Sequence, residues 1–245
     1  MNNRVSSLVV LGFPKSGTSA LMRELDGREG VKVLTAPNGS LELAWPAIME
    51  LETEASLREI ADSGARLVCH KFAAYIYNPK AIQYLSENKE RKFVVCIRDP
   101  SKSLVSWWNM HRTIAKTGRN KNHIAYKERD FYANCNVEEY YDRYAKDRLR
   151  YDLYINELLS AVGIDRVFVV SQERMASNTA FAADRILEFS SSQPSDAVER
   201  ISDAEHQSYA ERAKIVLPDT IQKELDQVYG ATLVTLLKNG VRRLI

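Results

Sequence analysis

The chain of 245 residues carries 34 Lys and Arg against 32 Asp and Glu, a formal net charge of +2. With 45% hydrophobic and 27% charged residues it has the make-up of a folded globular protein, which excludes disordered and fibrous classes. The near-neutral balance argues against a nucleic-acid coat, which shows a clear basic excess, and leaves room for a local anion site.

Cys69, Cys96 and Cys135 are far apart and form no C-x-x-C pair, so neither a disulfide framework nor a structural zinc site is expected. Cys69 and Cys96 sit in apolar runs and read as core residues. No stretch approaches the ~18–20 apolar residues of a membrane span. The apolar run Val5 to Phe13 stops at Pro14-Lys15 without a small-residue cleavage site, so a cytoplasmic protein without a signal peptide is expected.

Ser7 to Gly12 is a continuous apolar run closed by glycine, the pattern of a buried parallel strand. Residues 16–27 have helical spacing, and Val31 to Leu34 reads as a short strand. A helix is predicted over Glu50 to Gly64, a strand over Arg66 to His70, and a helix over 79–88 started by Pro79. Lys92 to Arg98 is the clearest inner strand, and Asp99-Pro100 opens a helix through about residue 115. A lid or substrate loop is expected over about 112–136, basic and irregular from residue 116. A long charged helix is predicted over 137–161, a strand over Val167 to Val170, and helices near 178–190 and 219–238. Strands alternating with helices predict a single α/β domain over residues 1–245, its mostly parallel central sheet covered by helices on both faces.

Two motifs carry chemistry. In Gly12-Phe-Pro-Lys-Ser-Gly17-Thr-Ser19 the frame resembles a phosphate-binding loop, but Thr18 stands where a nucleoside triphosphatase has its lysine, and Lys15 lies inside the loop. Glycines let successive N–H groups converge on an anion, the helix N-terminus adds partial positive charge, and Ser16, Thr18 and Ser19 add hydroxyls. Lys15 can then reach the bridging oxygen beside a transferred group. The second motif is Arg98 at a strand's carboxyl edge with Ser106 eight residues on. Ligands of doubly wound sheets bind on that rim, where an arginine fork suits a terminal phosphate.

Pro14-Lys-Ser-Gly-Thr-Ser19 resembles the 5′-phosphosulfate loop of sulfotransferases that use 3′-phosphoadenosine 5′-phosphosulfate (PAPS). Arg98-Asp-Pro with Ser106 and Trp107 resembles their 3′-phosphate motif. The likeness covers about residues 5–190 and is nearer the heparan-sulfate type than the phenol and steroid type. It implies a P-loop-like three-layer fold, PAPS as donor with 3′,5′-bisphosphate (PAP) as product, and a small-molecule or glycan acceptor; no metal is expected, because His111, His123 and His206 have no acidic or thiol partners at metal-ligand spacing. Pro14, Lys15, Ser16, Gly17, Thr18, Ser19, Arg98 and Ser106 are the expected nucleotide contacts. No Lys/Arg-Gly closing loop occurs near the C-terminus, and Arg212 and Lys214 are its expected substitutes. Lys71 and Tyr75, in Lys71-Phe-Ala-Ala-Tyr75, are the expected acceptor contacts.

The base is open between His70, placed like the phenol-type histidine, and Glu42, placed like the heparan-type glutamate. Two other readings stand beside sulfuryl transfer: a kinase or nucleoside triphosphatase with a displaced lysine, and a non-catalytic nucleotide-binding module.

Overall fold

The computed structural model describes residues 5–36, 39–43, 60, 62, 64–191 and 215–239. Five parallel strands form the sheet: β1 (Ser6–Gly12), β2 (Val31–Val33), β3 (Leu67–Lys71), β4 (Lys92–Ile97) and β5 (Val167–Ser171), in the order β2-β3-β1-β4-β5. Parallel strands are covered on both faces, so their sequences read as unbroken apolar runs, and β3 and β5 are buried at every residue. Successive side chains point to opposite faces. Leu8 and Val10 accordingly join one core cluster while Val9 and Leu11 join another.

The first face is covered by α1 (Thr18–Asp26), through Leu21, Met22 and Leu25, and by α9 (Thr179–Ser191), through Ala182, Ala183 and Ile186. The second, larger face is covered by α2 (Pro79–Glu87), α3 (Pro100–Thr117), α7 (Tyr151–Val162) and α10 (Asp219–Lys238). Pro79 and Pro100 each sit in the first turn of their helix, behind Asn78 and Asp99 side chains that accept the early backbone N–H groups. All three cysteines are free and buried, and burial pushes the Cys69 and Cys96 thiols up to about 12.

Three expectations need correction. The stretch expected to be irregular from residue 116 contains α4 (Ile124–Lys127) and α5 (Arg129–Asn134), which pack on α3 with Ala125 and Tyr132 buried. Trp108 Nε1 also donates to the Cys135 carbonyl at 3.1 Å, tying that segment down. The predicted helix over 137–161 is broken into α6 (Val137–Tyr140), a π-helical turn (Tyr141–Ala145), a 3₁₀ turn (Asp147–Leu149) and α7. Tyr140, Tyr141, Ala145 and Leu149 are buried along this stretch. A further short helix, α8 (Gln172–Ser177), follows β5 where none was predicted. The predicted helix over 50–64 lies outside the described residues apart from 60, 62 and 64.

Burial gives α3 one titratable feature. His111 is 1% exposed, ringed by Trp107, His123, Tyr132, Tyr140 and Tyr144, and its Nδ1 lies 3.2 Å from the Tyr140 hydroxyl. Desolvation, with His123, Arg148 and Lys15 adding positive charge nearby, lowers its pKa to about 3. An unfolded imidazole titrates near 6.5, so between pH 6.5 and 3 the unfolded chain takes up a proton that the folded one refuses. Stability should therefore fall with pH across that window, by up to about 1.4 kcal/mol per pH unit from this group. Denaturant midpoints between pH 7 and 4 test this: His111→Gln, whose amide can still face Tyr140, should flatten the slope, and an unchanged slope contradicts the assignment.

Candidate active site

The turn between β1 and α1 is shaped by two residues in the left-handed region, Lys15 at φ 65° and Gly17 at φ 86°. Alternating hand turns successive N–H groups toward one point, the geometry of an anion nest. Ser16 is buried and folds back onto the loop, its hydroxyl donating to the Phe13 carbonyl at 2.7 Å. Among the described residues, no backbone carbonyl takes the N–H groups of Gly17, Thr18 or Ser19. Space explains both glycines. A Cβ on Gly12 would come within 2.9 Å of the Cys96 carbonyl and within 2.7 Å of the Thr18 methyl. On Gly17 it would meet the Met175 methyl at 2.5 Å.

The end of β4 lies beside this turn, because β4 pairs with β1 with Gly12 opposite Cys96. The Arg98 guanidinium donates to the Lys15 carbonyl at 3.1 Å, fixing the loop, while its Nε is buried with no hydrogen-bond partner among the described residues. Asp99 caps α3 by accepting from Ser101 N at 2.8 Å, and its own N–H donates to Glu173 at 3.1 Å. Glu173 is held in turn by the Ser171 hydroxyl at 3.0 Å, so the carboxyl ends of β4 and β5 are locked together. Ser106 is half-buried two turns into α3.

On the other side of β1, the end of β3 brings Lys71 to the turn. Lys71 is 1% exposed, and its Nζ donates to Ser19 Oγ at 2.9 Å and pairs closely with Glu42. Glu42 also accepts from Ala73 N at 3.2 Å, while its side chain stays 41% exposed. An ammonium buried in this way needs such partners to stay charged.

Two expected residues stand elsewhere. His70 does not follow the strand: it lies inside β3 opposite Val9 and is wholly buried, with the strand continuing to Lys71. Tyr75 is buried too, and its hydroxyl donates to the Leu43 carbonyl at 2.6 Å, next to Glu42. Arg212 and Lys214 lie outside the described residues.

Other neighbours were not foreseen. Lys15 Nζ lies 3.7 Å from Met110 Sδ, and Met175 and Gln172 press on Gly17. No motif marks them, since an apolar residue at helical spacing reads as core.

A family model described as a sulfotransferase domain matches residues 6–220. Among solved structures, a sulfotransferase from Alicyclobacillus acidocaldarius is similar at 14% identity with a TM-score of 0.58, covering 94% of each chain. Mouse sulfotransferase SULT7A1 complexed with PAP is similar at 13% identity and a TM-score of 0.53, covering 97% of this chain and 88% of that one. At these identities the structures speak for the fold. No curated protein sequence matches the chain.

Proposed function

This chain belongs to the sulfotransferase domain family, and from that premise we propose that it moves a sulfuryl group from PAPS to a hydroxyl of a carbohydrate-like or other small acceptor. The observation that carries the reading is the turn itself: three amides free of backbone acceptors and Lys15 share a nest that Arg98 braces through the Lys15 carbonyl.

The residues present suit such a donor. The Gly12 and Gly17 positions leave room only for backbone, so an oxyanion can approach the amides closely. The buried Arg98 Nε, which has no hydrogen-bond partner among the described residues, supports a 3′-phosphate there, with Ser106 on the following helix as its expected second contact. When bound, PAPS would supply an activated sulfuryl group and a bisphosphate leaving group.

The chain's own groups divide the remaining work. Lys15 neutralises charge that develops on the leaving phosphate oxygen. Lys71, steadied by Ser19 and Glu42, faces the same rim and offers positive charge to the sulfuryl oxygens. Glu42, partly exposed and oriented by Lys71 and Ala73 N, accepts the acceptor hydroxyl proton. His70 fits this role less well, being sealed inside the sheet.

Calorimetric titration with PAP, beside ATP with and without Mg²⁺, tests the donor. PAP should bind at least tenfold tighter than ATP and be indifferent to Mg²⁺. Mg²⁺-dependent ATP binding that ignores the 3′-phosphate would overturn the reading in favour of a nucleoside triphosphatase.

A further inference from the structure

The turn joining α6 to α7 carries four cations, and they differ in how they are satisfied. Arg143 pairs with Glu128 at 2.9 Å, Lys146 with Glu224 at 3.3 Å, and Arg150 with Asp152 at 2.9 Å. Arg148 has no carboxylate partner among the described residues. It is exposed, lies over the Tyr144 ring at 4.3 Å and donates to the Tyr144 carbonyl at 2.9 Å.

Two lines of contact lead from Arg148 to the Lys15 turn. Along the first, Tyr144 meets His111 at 5.1 Å, and the preceding residue, Met110, touches Lys15 Nζ at 3.7 Å. Along the second, the Arg148 carbonyl accepts from the Tyr77 hydroxyl at 3.0 Å, and the Tyr77 ring meets Phe13, at the start of the turn, at 6.0 Å. Arg148 and Lys15 are both near enough to His111 to depress its titration. Arg148 and Lys15 are thus two exposed cations, with half-exposed Tyr77 and Tyr144 near Arg148 and buried His111 and Phe13 packed between them and the turn.

We propose that Arg148 is a specificity-determining residue that binds a carboxylate on the acceptor, while the body of the acceptor lies along Tyr77 and Tyr144 and its hydroxyl reaches Lys15 and Glu42. A guanidinium held by a ring face and one carbonyl keeps spare N–H donors in a planar fork, the geometry that suits a carboxylate. The inference rests on the sulfuryl-transfer reading above.

The test uses two probes that differ at one carbon substituent, 4-nitrophenyl β-D-glucuronide and 4-nitrophenyl β-D-glucoside, titrated into the full chain saturated with PAP. Prior PAP binding reports on the sulfuryl-transfer reading alone, and its failure would count against that reading. With PAP bound, the glucuronide should bind about tenfold to a hundredfold tighter than the glucoside, the range of one charge-assisted contact. Arg148→Gln should erase that difference without changing PAP affinity, and Arg148→Lys should recover part of it. Equal affinity for the two probes, no binding of either, or a preference that survives Arg148→Gln would overturn the proposal.

Discussion

Replacing Lys15 with Ala is expected to lower kcat/KM for sulfuryl transfer by about a hundredfold to a thousandfold, the range seen when one preorganised charge-stabilising donor is removed. The effect should appear in kcat more than in nucleotide affinity. Backbone amides and Arg98 would still hold the phosphates, whereas the charge on the departing oxygen develops only in the transition state. Folding should be little affected, because the Lys15 side chain is exposed and its contact with the Met110 sulfur, at 3.7 Å, is a weak one. The backbone at Lys15 already holds φ 65°, and Ala bears the same Cβ there, so the substitution adds no new strain. Single-turnover rates beside a PAP titration and a thermal melt separate these effects. A Lys15→Ala enzyme of full activity would sink the mechanism.

The parts of this site legible in the sequence are those where one residue type has few structural uses. Gly12 and Gly17 with Lys15 between them announce a backbone turned toward an anion, and the structure shows that turn with Lys15 and Gly17 in the left-handed region. Arg98 at the end of an apolar run likewise announces the carboxyl edge of an inner strand, and β4 ends at Ile97. What stayed hidden depends on distances between segments far apart in the chain. His70 and Lys71 are adjacent, so both read as strand-end candidates. Only the register of β3 against β1, with Lys71 opposite Val10, puts one side chain in the core and the other beside Ser19. Arg148 carries no motif in the sequence, and its place over the Tyr144 ring is a contact that only the structure shows.

The same register sets the largest contrast expected among the base candidates. Glu42→Gln should cut kcat by about a hundredfold to ten-thousandfold, the span of general-base catalysis, with the KM for donor little changed. It should also destabilise the fold by about 1–3 kcal/mol, since the buried Lys71 ammonium loses its carboxylate charge and is left with neutral oxygens, the introduced amide and Ser19 Oγ, among the described residues. The figure lies below that for a fully buried pair because Glu42 is 41% exposed and water can partly replace it. Lys71→Met removes the cation that needs a partner and fills much of the same volume. It should therefore lose less stability than Glu42→Gln while still slowing transfer. His70→Gln should show the opposite balance. Its site is sealed in the core, so stability should fall while kcat in the folded fraction stays near that of the parent chain. Denaturant midpoints and single-turnover rates on the three variants decide the matter. A Glu42→Gln chain that keeps its rate while His70→Gln loses it would move the base to His70, and the strand register would then need a local opening to deliver the imidazole to the rim.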